Sequence, residues 1–276
     1  MVRNLRATHY NSHMDRVVTL GRRILPRGWA HFGLQVGLWF GFYISYLAVR
    51  SDIDQNPAKA LANGVKVIRL EQRFTHHLFE LSVQRIADSS NLLLTAAAWT
   101  YWNSEFTVIG LTLLWVYLRR NERFARFRNT ILLANLIGLI GYALMPTAPP
   151  WMTHGYGFVG GVNHSSELVH TFGNQYAAMP SLHAADALIV GVFLVLSCRH
   201  WWSKTLWALW PVWVWFCVIA TANHYVLDVL AGITVAAFAL LLTGGLLRIL
   251  RTAGTTVDPV SQTCYSAPIA GLRYWR

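Results

Sequence analysis

Six apolar stretches, separated by polar or basic segments, divide the sequence. A helix that crosses a bilayer needs about 20 mostly apolar residues. The stretches that meet this length run over residues 31–49, 91–118, 129–147, 182–198, 205–222 and 226–247. The pattern therefore predicts an all-α, polytopic membrane protein with six transmembrane helices.

The segment 55–90 has a different pattern, in which apolar residues recur at helical spacing between polar positions. The apolar positions are Leu61, Val65, Ile68, Leu70, Phe74, Leu78 and Leu81. Such a pattern is typical of amphipathic helices. We predict an amphipathic helical segment between the first and second spans, which either lies on the outer membrane surface or caps the bundle.

Composition and charge support a membrane protein and predict its orientation. Hydrophobic residues make up 54% of the chain and charged residues only 13%, whereas a soluble domain carries about 25% charged residues. The formal net charge is +11, and its basic residues precede the first span, occupy 119–128 and follow the sixth span, whereas 151–182 contains no Lys or Arg. The positive-inside rule then places both termini in the cytoplasm. The charge thus indicates orientation, and no nucleic-acid partner is expected.

These boundaries divide the chain into three parts. We expect a basic cytoplasmic N-terminus over 1–28, a six-span catalytic membrane domain over 29–250 and a cytoplasmic tail over 251–276. The segments 50–90, 148–181 and 223–225 then face the outside or a lumen.

Ionisable side chains collect at the outer ends of two spans. His183 begins the fourth span, while His224 and Asp228 begin the sixth at an i, i+4 spacing that places both on one helix face. The two histidines are 41 residues apart, which is one helical hairpin. Since a hairpin returns the chain to the same depth, we expect these three residues to meet at the outer surface.

The residue types in this cluster suit phosphoryl transfer. A carboxylate beside His224 would fix its tautomer and prepare one ring nitrogen as a nucleophile or base, and His183 could act as a general acid. Ser181 lies at a helix start, where free N–H groups favour an anion. No metal or other cofactor is required. The plainer interpretations are a lone interfacial histidine, a helix-stabilising His/Asp pair or half a metal site.

Two neighbouring features have open alternatives. Asp186 lies one turn below His183 and either tunes that histidine, contacts an acceptor hydroxyl or is simply solvated at the helix mouth. The neutral, Gly-rich loop 151–178 is either a lid or headgroup pocket, or a mobile surface loop.

Two motifs carry a resemblance to a known family. "PSLH" at 180–183 and "HYVLD" at 224–228 resemble the second and third signature motifs of the type-2 phosphatidic acid phosphatase superfamily, which contains six-span lipid phosphatases and phosphotransferases. The resemblance implies that His224 attacks phosphorus to give a phosphohistidine, that Asp228 orients it and that His183 protonates the leaving group. It implies that Ser181 binds phosphate oxygens.

The chain departs from this family where cations are expected. The first motif normally supplies a Lys and an Arg-Pro pair, but the corresponding residues read "GYALMPTAPPWM" (141–152), and an Arg of the third motif is replaced by Val218. The "MPTAPPWM" stretch, "RLEQRF" (69–74) and "RFRNTILLAN" (126–135) resemble the subgroup of inositol phosphorylceramide synthase. Within the first stretch, Trp151 is a candidate substrate-binding residue. If the amphipathic segment folds over the site, the missing charge would come from Arg69, Arg73, His76 or His77.

The resemblance implies a metal-independent enzyme at the extracytoplasmic face, acting on membrane lipids. We predict transfer of a phospho-headgroup, phosphoinositol-like, from a phosphorylated lipid donor to a lipid or polyol acceptor. The first alternative is a lipid phosphatase acting on phosphatidate or polyprenyl phosphate, which differs only in using water as the acceptor. An alternative of another class is a non-enzymatic lipid transporter or binding protein.

Overall fold

The computed structural model describes residues 25–52, 56–162 and 175–254, and within these ranges all regular secondary structure is helical. The predicted all-α class is therefore confirmed. The predicted basic residues before residue 25, the loop residues 163–174 and the tail from residue 255 lie outside these ranges. The helices are α1 (Gly28–Asp52), α2 (Pro57–Thr75), α3 (Phe79–Asp88), α4 (Asn91–Asn103), α5 (Ile109–Arg119), α6 (Asn121–Leu144), α7 (Leu182–Ser197), α8 (Trp201–Ala220) and α9 (Val226–Gly254).

Four helices in the described ranges are long and apolar enough to cross a membrane, which indicates an integral membrane protein. They are Gly28–Arg50, Asn121–Leu144, Trp201–Ala220 and Val226–Gly244. The predicted fourth span, α7, is apolar but has only 16 residues. The predicted second span is two helices, α4 and α5, joined by a π-helical turn at Ser104–Val108.

The predicted basic loop between the second and third spans is helical instead. Helix α6 begins at Asn121, eight residues before the predicted start at 129, so that Arg120 alone separates it from α5. Arg and Glu are good helix formers, and the charged residues at 121–128 therefore continue the apolar helix rather than ending it.

Helix α7 lies at the centre of the bundle. Eleven of its 16 residues are buried, and it packs against α6, α8 and α9. Its start is in close contact with two neighbours: a Cβ on Gly141 of α6 would lie 2.5 Å from the ring of Pro180, and a Cβ on Gly232 of α9 would lie 2.1 Å from the carbonyl oxygen of Ser181. Small residues at such crossings allow backbones to approach closely, and here they bring α9 directly against the start of α7.

Helices α2 and α3 cover one end of the bundle. Asn63 donates to the carbonyl of Pro146 at 2.8 Å, and the N–H of Ala148 donates to the carbonyl of Ala60 at 3.0 Å. The segment therefore caps the bundle, one of the two arrangements that the pattern left open.

The predicted apolar positions are divided between the two sides of this cap. Leu61, Leu70 and Phe74 are exposed, while Ile68 and Leu78 are buried in a small apolar cluster with Val67 and Tyr225. The buried face of α2 also includes small and polar residues, namely Ala60, Asn63, Gly64 and Glu71. They lie where α2 meets backbone groups that require hydrogen-bond partners.

Candidate active site

His224 is held just before α9, with one ring nitrogen engaged. Its Nδ1 lies 2.8 Å from the carbonyl oxygen of Ala178 and 3.5 Å from Asp228 Oδ2. Because a carbonyl oxygen only accepts, we assign the proton to Nδ1, which leaves a lone pair on Nε2. Asp228 Oδ2 also accepts from the backbone N–H of Tyr225 at 2.9 Å, as the third residue of a capping box does. The way α9 starts therefore positions both His224 and Asp228.

His183 lies beside His224, with the two ring centroids 5.8 Å apart. The ring of His183 stacks on Tyr101 at 4.4 Å, and its Nε2 lies 3.2 Å from the Tyr101 carbonyl oxygen and 3.8 Å from Glu105 Oε2. Nε2 therefore carries a proton, and Nδ1 is the nitrogen that remains for exchange. Glu105 lies in the π-helical turn, a feature that is frequent at functional sites.

A backbone contact joins the two motifs. The N–H of Ser181 donates to the carbonyl oxygen of Asp228 at 3.0 Å. This contact lies where α7 and α9 cross, and Gly232, which has no side chain, allows the two backbones to approach. The structure thus brings His183, His224 and Asp228 together at one end of the bundle.

Both histidines line a cavity of about 350 Å³. Its wall is rich in aromatic side chains from α1 and from the region where α4 joins α5, namely Trp39, Phe42, Tyr43, Tyr46, Tyr101, Trp102 and Phe106. An apolar wall with a few polar groups is the usual form of a site for a small amphipathic ligand. The cavity therefore offers space for a lipid beside the two imidazoles.

Asp186 is buried in the cavity wall, with 2% of its surface exposed. Its two carboxylate oxygens accept from Asn135 Nδ2 at 3.2 and 3.1 Å. The solvated alternative for Asp186 is therefore wrong: the helix mouth is covered by other elements, and the carboxylate depends on Asn135 for its hydrogen bonds.

The other predicted site residues have different positions. Trp151 lines the cavity. Ser181 is fully buried, and its hydroxyl accepts from the N–H of Ala184 at 3.3 Å as the N-cap of α7; it is not part of the cavity wall. Arg69, Arg73, His76 and His77 are exposed and also lie outside that wall. The phosphate-binding roles predicted for Ser181 and the arginines thus have no contact with the cavity to support them.

Two buried carboxyl groups cap the start of α9. Glu71 Oε1 accepts from the N–H of Leu227 at 2.8 Å, and Glu80 Oε1 accepts from the N–H of Val226 at 2.8 Å. Burial and a hydrogen bond to Glu80 raise the pKa of Glu71 to about 9. At neutral pH Glu71 therefore keeps its proton, which it shares with the side chain of Glu80.

Sequence reasoning missed four polar residues around the site. Arg50 and Asn135 line the cavity, and the two glutamates of the cap hold α9. The sequence contained a clue to Arg50, because it is a basic residue at the predicted outer end of the first span, where the positive-inside rule disfavours one. The glutamates had none, since their partners are backbone N–H groups more than 140 residues away in the chain.

Groups of metal-ligating side chains were the remaining feature to locate around the two histidines. Within the described ranges, no three His, Cys, Asp or Glu side chains are grouped so that they could hold a metal ion. The expectation that no metal is required stays a prediction.

Comparison with known proteins agrees with the motifs. The chain is similar to phosphoinositol dihydroceramide synthase of Bacteroides thetaiotaomicron, with 30% identity over 192 residues, covering 63% of this chain and 59% of that protein. It is also similar to inositol phosphorylceramide synthase of Candida albicans, with 26% identity over 117 residues, covering 36% of this chain and 24% of that protein. The chain thus spans less than two thirds of the length of either relative. No solved structure matches it.

The family assignment rests on a longer match. The family model described as the PAP2 superfamily matches residues 65–242, a range that holds both "PSLH" and "HYVLD" together with the cavity residues of α4 to α9. The chain belongs to the PAP2 superfamily.

Proposed function

We propose that the protein is a membrane enzyme that transfers a phospho-headgroup from a lipid donor to a lipid acceptor through a phosphohistidine on His224. The observation that carries this proposal is the geometry of His224. Its Nδ1 is engaged by Ala178 and lies near Asp228, so that Nε2 is the available nucleophile in a cavity that His183 shares. The activities named for the two relatives support a phosphoinositol headgroup and a ceramide-type acceptor.

In the first half-reaction, the Nε2 lone pair of His224 attacks phosphorus. A P–N bond forms while the bond from phosphorus to the donor's alcohol oxygen breaks, and protonated His183 gives its Nδ1 proton to that oxygen. His224 becomes cationic, and the Asp228 carboxylate and the Ala178 carbonyl stabilise this charge. Glu105 lies 3.8 Å from His183 Nε2, the ring nitrogen that keeps its proton throughout the step.

In the second half-reaction, the roles of His183 reverse. Neutral His183 accepts the proton of the acceptor hydroxyl as its oxygen attacks phosphorus, the P–N bond breaks, and His224 and protonated His183 are restored. With water as the acceptor, the same steps would release the phosphorylated headgroup. The aromatic wall of the cavity favours a lipid acceptor over water, because water must be kept from the intermediate for transfer to win.

The proposal includes the number of spans and the orientation of the protein in the membrane. We place six spans across the membrane, counting α7 and the α4–α5 pair with the four long helices, with both termini in the cytoplasm and the site at the outer face. Helices α2 and α3 then lie at the outer surface, where the exposed Leu61, Leu70 and Phe74 face the lipid interface.

The proposal is tested with the purified protein in lipid nanodiscs. A phosphatidylinositol donor labelled in its inositol ring is supplied with ceramide or dihydroceramide, and headgroup transfer to the acceptor is followed separately from release of water-soluble inositol phosphate. We expect transfer by the wild type and none by His224→Ala, while His200→Ala, an exposed histidine far from the cavity wall, transfers normally. Release of inositol phosphate without transfer would support the phosphatase alternative. Equal behaviour of wild type and His224→Ala would refute the proposal that the protein is an enzyme acting through His224.

A further inference from the structure

The cavity has one built-in cation. Arg50, in the last turn of α1, is the sole Lys or Arg among the described residues that line it. The same wall carries the carboxyl groups of Glu105 and Asp186, neither of which can supply positive charge. A phosphorylated lipid is an anion, and a cation in the cavity wall would attract it.

Among the described residues, no carboxylate forms an ion pair with Arg50. Its Nε is buried and, within the described part of the chain, has no hydrogen-bond acceptor. The guanidinium instead lies over two tyrosine rings, 6.0 Å from the centroid of Tyr46 and 5.7 Å from that of Tyr142. Cation–π contacts stabilise a guanidinium without using its N–H donors. The rings thus hold Arg50 in place while its donors stay available to an anion.

The position of Arg50 fits the reacting groups. It lies at the end of α1 and contributes to the same cavity wall as His183 and His224. The exposed Arg69 and Arg73 lie outside that wall. The chain also lacks Lys and Arg over 141–152 and at position 218, so that a cation from α1 takes a place that those segments leave neutral.

We propose that Arg50 is the phosphate-binding residue of the site and that its guanidinium donates to non-bridging oxygens of the phosphoryl group while His224 attacks phosphorus. The ligand class is a phosphate mono- or diester anion. Arginine suits this role because its fork of donors matches two phosphate oxygens. The inference rests on the proposed function, since it assumes that phosphoryl transfer takes place in this cavity.

The test compares Arg50→Gln and Arg50→Lys with Arg85→Gln, a matched change at an exposed arginine that hydrogen-bonds within its own helix. We expect Arg50→Gln to lower kcat/KM for headgroup transfer by about 10²–10³-fold, the range for removal of one oxyanion-binding donor. Arg50→Lys keeps the charge without the fork and should recover part of the loss, and Arg85→Gln should stay within about twofold of wild type.

A binding measurement separates this inference from the proposed function. Orthovanadate, which mimics the phosphoryl group, is titrated against the melting temperature of each protein. We expect it to stabilise the wild type and Arg85→Gln but not Arg50→Gln, whose melting temperature without vanadate shows that it is folded.

The outcomes distinguish the two proposals. If His224→Ala abolishes transfer while Arg50→Gln binds vanadate and turns over like wild type, Arg50 is excluded and the proposed function stands. Loss of both activities in Arg73→Gln instead would return the role to α2. If wild type and His224→Ala are equally inert but vanadate still binds through Arg50, the cavity binds phosphate and the proposed function fails. Absence of vanadate binding to the wild type would overturn the inference itself.

Discussion

The two carboxyl groups that cap α9 depend on one shared proton, and this makes their contribution measurable. Glu71 and Glu80 each accept a backbone N–H with one oxygen, and the second oxygen of each is buried with no donor from elsewhere in the described chain. Glu71→Gln or Glu80→Gln keeps the pair satisfied, because the amide group donates to the remaining carboxylate. In the double Gln variant both amide oxygens are used by the backbone, so that two NH₂ groups face each other. We expect each single variant to resemble wild type at pH 7 and the double variant to lose about 1–3 kcal/mol, the cost of unsatisfied buried polar groups.

The pH dependence has a definite sign. Burial, and then the neighbouring Glu80, raise the pKa of Glu71 from its ordinary 4.5 to about 9 in the folded protein. The proton therefore stabilises the fold fully below the unfolded pKa, and this stabilisation is lost as the pH rises through about 9. Between the unfolded and the folded pKa of Glu71, each pH unit lowers the free energy of unfolding by at most about 1.4 kcal/mol. Solvent screening at this end of the bundle should reduce the effect about twofold. We expect wild type to lose about 1–2 kcal/mol between pH 7 and 9, or about 2–8 °C in melting temperature.

The assay is the melting temperature of the detergent-solubilised protein, followed by tryptophan fluorescence from pH 6 to 10. Glu71→Gln should lack the drop between pH 7 and 9, while Glu122→Gln, a change at an exposed carboxylate, should keep it and thereby report general alkaline effects. The reasoning fails if Glu71→Gln shows the full wild-type drop, or if the double variant is as stable as the single ones.

Three further changes test the site and its packing. Asp228→Asn should lower kcat about 100-fold with little change in KM, because the cationic intermediate on His224 loses its counter-charge. A change in KM alone would contradict this role. Because Asp228 also accepts from the N–H of Tyr225, the melting temperature of the variant shows whether the fold is kept. Gly232→Ala should destabilise the fold by about 1–3 kcal/mol and reduce transfer, since its Cβ would lie 2.1 Å from the Ser181 carbonyl oxygen; wild-type melting would mean that α7 and α9 are less tightly packed than described. Asp186→Asn should raise the acceptor KM about tenfold, the effect of one lost hydrogen bond, with the donor KM unchanged; unchanged acceptor kinetics would leave Asp186 as a structural partner of Asn135.

The hydrophobic pattern predicted the helices well because it depends only on local periodicity. All six predicted spans are helical, and the segment 55–90 forms two helices. The boundaries were less accurate where charged residues continue a helix, as at the start of α6. Periodicity showed that α2 has two faces, but it did not show which residues would meet the bundle, because tertiary partners decide that. For Glu71 that partner is the backbone of Leu227, which has no signature in the sequence.

The reacting groups were found from the sequence, whereas the groups around them were not. His183, His224 and Asp228 share a hairpin, so that topology alone brings them together. Arg50 and Asn135 reach the cavity from α1 and α6, and no spacing rule relates those helices to the two motifs. The sequence therefore offered only the basic residues of the amphipathic segment, Arg69 and Arg73, as candidate cations, and the fold leaves both exposed on α2.

The site is built from two structural units that hold different parts of the chemistry. The proposed nucleophile, His224, is positioned by contacts to the backbone. Ser181 joins α7 to Asp228, the carboxyl pair caps α9, and the N–H of Trp151 donates to the carbonyl of Ala222 at 3.1 Å just before His224. The wall on α1 supplies Arg50 and aromatic rings through side chains alone. Since backbone contacts fix geometry more tightly than long side chains do, the inner unit suits a reaction that needs one attack direction, and the α1 wall suits a ligand that must enter and leave. Damage to the inner unit should therefore lower kcat, as expected for Asp228, whereas changes on α1 should first weaken phosphate binding, as expected for Arg50.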